Sequence, residues 1–226
     1  MPRPTVLAFD YDATLTHTGR LSPAVVEALG RARAAGFVLV LVTGRQLWDL
    51  ERVCPDARRL FDRLVVENGA VLVTGEGSTL KLGPRVDDEL ERALDRIGMV
   101  VDRGEVLLAT ERRWESVVAR EVERLGLDVR LVSNRGSLMV LPAAISKASG
   151  LSHAVASLGV GLEDVLAVGD AENDREMLEA VGFGVAVGDA VEELEAVADR
   201  VLELPDGEGV VALLHELIAA AAGGAG

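Results

Sequence analysis

Short apolar runs alternate with amphipathic stretches along most of the chain. Val6-Leu7-Ala8-Phe9 has the length of a buried strand and stops at Asp10. Ser22-Pro23 then supplies an N-cap and a first-turn proline. Leu21, Val25, Val26, Leu29 and Ala32 recur at helical spacing, and Gly36 closes the segment. A second apolar run, Phe37 to Val42, ends in Thr43-Gly44-Arg45; a helix and a short strand at Leu64-Val65-Val66 follow. Strand, helix, strand, helix, strand predicts a parallel sheet with helices on both faces. Glu67-Asn68-Gly69 reads as a turn, and 71–73 with 78–82 as a hairpin about Gly75-Glu76-Gly77.

Gly83-Pro84 interrupts this alternation. Val86, Leu90, Ala93, Leu94 and Ile97 mark one amphipathic helix, and Trp114, Val117, Val118, Val122 and Leu125 another. Strand-like runs at 105–109, 129–132 and 137–141 make this stretch an α+β insert. After Pro142 the alternation resumes, with helices at 147–158, 174–180, 191–197 and 209–221 and strands at 164–168, 183–187 and near 201. The Gly223 to Gly226 end reads as a frayed tail. The predicted fold is α/β, a doubly wound, Rossmann-like parallel sheet. Its core spans 1–82 and 144–226, and the α+β insert spans 83–143.

Composition narrows the function. The 226 residues carry 37 acidic and 23 basic side chains, a formal charge of -14, so the basic face that binds a nucleic-acid backbone is missing. No apolar run exceeds six residues, far short of the ~20 that span a bilayer. The Met1-Pro2-Arg3-Pro4 start has no signal-peptide layout, and Cys54 has no internal partner. These features lead us to expect a cytoplasmic protein with no nucleic-acid or membrane partner. Oligomeric state is not legible in the sequence. The acidity is local: residues 144–226 hold 16 acids against Lys147, Arg175 and Arg200. Lys147 is one of two lysines among 23 basic residues, and it opens a predicted helix, where the dipole disfavours a cation.

Ligands of an open parallel sheet bind beyond the carboxyl ends of its strands. Those ends carry Asp10-Tyr11-Asp12-Ala13-Thr14, Thr43-Gly44-Arg45, Glu67-Asn68-Gly69 and Gly169-Asp170-Ala171-Glu172-Asn173-Asp174. Singly, each has an ordinary structural explanation: a polar strand end for Asp10 and Asp12, helix capping for Thr43, Asp170 and Asp174. Together they make sense with a metal and a phosphate. Carboxylate oxygens without His or Cys describe a hard cation such as Mg²⁺. A threonine hydroxyl and a lysine suit phosphoryl oxygens, leaving one aspartate to attack phosphorus and another to move protons.

In order, Asp10-Tyr11-Asp12-Ala13-Thr14, Thr43, Lys147 and the Gly169–Asp174 segment resemble the four motifs of the haloacid dehalogenase-like superfamily. The insert at 83–143 resembles the C2 cap of its Cof-type branch, which includes sugar-phosphate and phosphoglycolate phosphatases. This resemblance implies an Mg²⁺-dependent phosphatase acting on a small phosphorylated metabolite. Asp10 would be the nucleophile and a metal ligand; Asp12 would be the general acid and base, its carbonyl also on the metal. Thr43 and Lys147 would hold the phosphoryl group, with Asn173 as a secondary contact. Asp170 and Asp174 would fix Mg²⁺, and Arg45 and Asn68 would stand at the mouth. Arg112, Arg113 and Arg135 are candidate anion contacts in the cap. Two positions depart from the pattern. Ala13 replaces a frequent glycine, with little harm expected, and Asp189 replaces a frequent asparagine, which puts a substrate contact there in doubt. The alternatives are a phosphomutase on the same scaffold and a phosphoacceptor or binding module without turnover. The insert and the first-strand aspartate argue against the latter.

Overall fold

A computed structural model describes residues 4–75, 77–134 and 136–223. The chain first forms β1 (Val6–Phe9), α1 (Pro23–Ala34), β2 (Val38–Val42), the short helices α2 (Leu47–Val53) and α3 (Ala57–Leu60), and β3 (Arg63–Val66). A hairpin of β4 (Val71–Thr74) and β5 (Thr79–Lys81) follows; Glu76 and the last three residues lie outside the described set. The middle of the chain gives α4 (Asp88–Arg96), β6 (Asp102–Arg103), β7 (Leu108–Glu111), α5 (Glu115–Leu125), β8 (Val129–Asn134) and β9 (Ser137–Pro142). The remainder gives α6 (Lys147–Ala156), β10 (Val165–Gly169), α7 (Arg175–Ala180), β11 (Phe183–Ala186), α8 (Glu192–Glu195), β12 (Arg200–Val201) and α9 (Asp206–Gly223).

The main sheet has eight strands in the order β12-β11-β10-β1-β2-β3-β4-β5. It is parallel from β12 to β3, and the β4–β5 hairpin adds two antiparallel strands. The central strands β1 and β2 are apolar at every position because both faces of the sheet are covered there. Leu7, Phe9, Leu39 and Leu41 face one layer, with Leu29 of α1 and Leu213 and Leu214 of α9. Val6, Ala8, Val40 and Val42 face the other, with Leu151 and Ala154 of α6 and Met177 of α7. The expected Ser22 cap is present: its hydroxyl accepts from Val25 N–H.

A second, antiparallel sheet has the order β6-β7-β9-β8. The two-residue period of β9 divides its side chains. Leu138 and Val140 pack with Leu90, Leu94 and Val118 of α4 and α5. Met139 and Leu141 turn the other way and join the main core. This sheet therefore lies as a cap, with one face on its own helices and the other on the main body. One sequence expectation shifts here. The run at 105–109 was expected to be a strand, but β7 begins at Leu108, because the amides of Glu105, Val106 and Leu107 donate to the Glu67 carboxylate instead of to a neighbouring strand.

Candidate active site

Asp10 is the first residue past β1, and its N–H donates to Val168 O of β10 at 3.0 Å. That bond ties the end of the first strand to the strand that delivers Asp170. Thr14 strengthens the link, donating its hydroxyl to Asp170 Oδ1 at 3.2 Å. Lys147 is fully buried, and its ammonium reaches Asp10 Oδ1 at 2.6 Å and Asp174 Oδ1 at 2.5 Å. The Lys147 helix starts with a capping box, in which Ser146 Oγ accepts from Ser149 N and Ser149 Oγ accepts from Ser146 N. The lysine is therefore no solvated first-turn side chain. Asp10 and Asp174 offset its poor placement against the helix dipole.

Asp174 serves two purposes. Its second oxygen, Oδ2, accepts from the N–H groups of Asp170 and Ala171 at 3.1 and 3.2 Å, so the capping explanation holds for half of the carboxylate. Asp10, Asp170 and Asp174 each place a carboxylate oxygen within 4.8 Å of the others, and all three are buried. Burial pushes the Asp10 carboxyl well above the usual range; Lys147 pulls it back, while Asp174 and Asp170 raise it further. Burial alone would lower the Lys147 ammonium, but Asp10 and Asp174 outweigh that and hold it above its ordinary value. Three carboxylates sharing one ammonium leave an excess of negative charge. An all-oxygen donor set of this kind fits a hard divalent cation.

Asp12 stands apart from this cluster. Its carboxylate is held at two points by Arg45, with Nε to Oδ2 and Nη2 to Oδ1 both at 2.7 Å. Arg45 also pairs with Asp49 and lies 5.5 Å from the centre of the Tyr11 ring. These carboxylates keep the Arg45 guanidinium firmly charged. Asp10, Asp12, Gly44 and Arg45 line one cavity of about 380 Å³, with Asn134, Ser137 and Met139 lining it from the cap side. A Cβ on Gly44 would lie 3.4 Å from the Met139 sulfur. Thr43 is buried beside this cavity; its hydroxyl accepts from Arg45 N–H at 3.2 Å, leaving its own hydrogen free to donate.

Asn68 and Asn173 sit elsewhere. Asn173 Nδ2 donates to Asn68 Oδ1 at 3.0 Å, and both line a different cavity of about 340 Å³ with Arg112, Arg130 and Glu176. Asn173 Oδ1 is the one buried side-chain oxygen, among the described residues, with no hydrogen-bond partner. Arg45 is a partner of Asp12 rather than a free residue at the mouth. Arg113 pairs with exposed Glu111 and lies over Trp114, on the protein surface. Arg135 lies outside the described residues. Asp189 is exposed and accepts from Asp206 N–H at 3.2 Å. Ala13 corrects an expectation: its φ of 60° is left-handed, a conformation that costs an alanine about 1–2 kcal/mol, so the missing glycine is not harmless.

Sequence reasoning missed three contributors. Asp49 completes the Arg45 network, Met139 lines the cavity from the cap side, and Glu67 links the main body to the cap. Only Glu67 left a signal, as a carboxylate directly after the apolar run of β3.

Comparisons with known proteins give the family and the fold. The model of the haloacid dehalogenase-like hydrolases matches residues 7–82 and 84–214. The phosphoglycolate phosphatase of Archaeoglobus fulgidus is 32% identical over 228 residues, covering 96% of this chain and 98% of its own. A haloacid dehalogenase-like hydrolase from Bacteroides thetaiotaomicron has the same fold, with a TM-score of 0.81 at 20% identity over 95% of this chain and 99% of that one. A sugar phosphatase of HAD subclass IIB superimposes with a TM-score of 0.77 at 22% identity, covering 95% of this chain and 99% of that one.

Proposed function

The chain belongs to the haloacid dehalogenase-like hydrolase family as a Cof-type phosphatase, and from that premise we propose that it hydrolyses a small phosphate monoester through a covalent phosphate on Asp10. The observation that carries this reading is the buried Lys147 ammonium, shared between Asp10 and Asp174 at the carboxyl ends of β1 and β10. In this reading residues 1–82 and 144–226 form the catalytic core and residues 83–143 the cap.

Asp10 attacks phosphorus with a carboxylate oxygen. Lys147 and the Thr43 hydroxyl hold the phosphoryl oxygens and offset the charge that develops on them. Asp12 gives a proton to the departing alkoxide and then takes one from the water that cleaves the acyl phosphate. A carboxylic acid donating to the leaving oxygen has one oxygen left for Arg45, so the two-point grip becomes one-point in that step. Mg²⁺, held by Asp10, Asp170, Asp174 and the Asp12 carbonyl oxygen, would supply charge neutralisation between the ester and this acidic site. With 16 acids against three bases in residues 144–226, substrate binding should need that cation as well.

The relatives named phosphoglycolate phosphatase, together with a cavity of about 380 Å³ bearing Asn134 and Ser137, support a small polar leaving group such as a hydroxy acid or a sugar. Purified protein should release phosphate from p-nitrophenyl phosphate with Mg²⁺ and stop on addition of EDTA. Asp10→Asn should lower kcat by about 10³-fold or more with an unchanged circular-dichroism spectrum. Undiminished turnover in that variant would remove Asp10 as nucleophile. A long-lived acyl phosphate without turnover would favour a phosphoacceptor.

A further inference from the structure

Glu67 takes no part in the chemistry above, yet it is among the most buried carboxylates in the protein, 1% exposed. Its Oε1 accepts from Glu105 N–H at 2.7 Å, and its Oε2 from Val106 N–H at 2.9 Å and Leu107 N–H at 3.1 Å. Three amides from one turn of the insert therefore converge on one ionised group of the main body. Such charge-assisted bonds are stronger than neutral ones, and breaking them would leave a charge buried without partners. The insert is shaped for this contact: a Cβ on Gly104 would lie 2.6 Å from the Glu67 carboxylate. Val106 and Leu107 are buried in the main core rather than among the cap's own side chains.

The other end of Glu67 reaches the catalytic loops. Its N–H donates to Arg45 O, and the next residue, Asn68, donates to Thr43 O, both at 2.9 Å. Arg45 in turn holds Asp12. Glu67 and Asn68 both adopt left-handed backbone, with φ of 53° and 54°, a strain that persists only where the surroundings fix it. Elsewhere the cap meets the main body through a partly exposed Arg130–Glu176 ion pair, the side chain of Met139 over Gly44, and Met139 and Leu141 in the main core. A partly exposed pair is weak and solvated, so the Arg130–Glu176 contact gives way more easily than the buried Glu67 bonds.

We propose that Glu67 is a positioning residue: it fixes residues 105–107 as the pivot of the cap and so sets where the cap's side chains stand over Thr43 and Asp12. Cap motion then takes place on the Arg130–Glu176 side, with the pivot docked throughout. The kinetic part of this inference rests on the phosphatase reading; the pivot itself does not.

Hydrogen exchange on the full chain tests the pivot directly. In the wild type, the amides of 105–107 should exchange slowly both with and without Mg²⁺ and inorganic phosphate. Glu67→Gln keeps the volume but turns one acceptor into a donor, and should speed their exchange at least about 10-fold. Gly104→Ala, made on the cap side, should reproduce the same signature, and the double variant should be little worse than either single one. For turnover, kcat/KM on phosphoglycolate should fall about 10-fold in both variants. On p-nitrophenyl phosphate, whose activated leaving group needs little from the cap, it should stay within about 3-fold. A merely structural role would lower both substrates equally, and that result overturns the proposal, as would fast exchange at 105–107 in the wild type. If the wild type hydrolyses neither ester, the phosphatase reading fails, and the exchange data alone decide the pivot.

Discussion

Asp10 and Asp12 are two residues apart and meet opposite electrostatic treatment. Asp10 is buried at the cavity wall and faces a compact ammonium shared with Asp174, in a cluster that holds more negative than positive charge. Asp12 has a 42% exposed side chain, and a guanidinium shared with Asp49 grips both of its oxygens. In the proposed mechanism this difference lets one strand end supply two carboxylates for two tasks. A nucleophile is best kept dry and aimed, with its charge offset by a cation that leaves room for substrate. A proton carrier needs reach, a fixed orientation and contact with water.

Three substitutions test that contrast, in decreasing order of effect. Lys147→Met should destabilise the protein by about 3–5 kcal/mol in urea titrations without divalent ions, because it strips the counter-charge from buried carboxylates. Added Mg²⁺ should recover much of that loss; a deficit that Mg²⁺ leaves untouched would argue against a cation among Asp10, Asp170 and Asp174. Arg45→Ala should leave stability within about 1 kcal/mol, since its pairs are partly exposed. It should lower kcat by about 10–100-fold through a misplaced Asp12, with Arg45→Lys recovering only part because an ammonium cannot span both oxygens. An unchanged kcat in Arg45→Ala would show that Asp12 needs no positioning. Ala13→Gly should give the smallest change, raising stability by about 0.5–1 kcal/mol, seen as a higher urea midpoint at constant m-value, as the left-handed strain is relieved.

The sequence made the buried half of this contrast far more legible than the exposed half. Strand ends are marked by apolar runs that stop at a carboxylate, so Asp10 and Asp170 could be placed at one edge of the sheet from pattern alone. Lys147 stood out because one lysine among many arginines opened a helix whose dipole opposes it. The Asp12–Arg45–Asp49 network was not legible. Which arginine turns inward depends on how α2 packs beside the loop after β1, and Arg45 and Asp49 look like any exposed i, i+4 pair. The start of β7 was misplaced for a related reason. The run from Glu105 reads as strand by composition, but a carboxylate 38 residues earlier claims its amides. Ala13 was misjudged because residue type alone does not reveal a positive φ.

Gly69 and Gly150 contribute no functional group, yet the placement of Lys147 depends on both. A Cβ on Gly69 would fall 1.9 Å from the Ser146 carbonyl oxygen, and one on Gly150 would fall 2.5 Å from Gly69 Cα. The loop after β3 and the first turn of α6 therefore touch backbone to backbone, with no room for a methyl group. Side-chain packing can adjust when a neighbour changes; a main-chain contact of this kind cannot. Divergence in this protein can therefore rework the cap, the surface and much of the core while two hydrogen atoms, at positions 69 and 150, stay fixed.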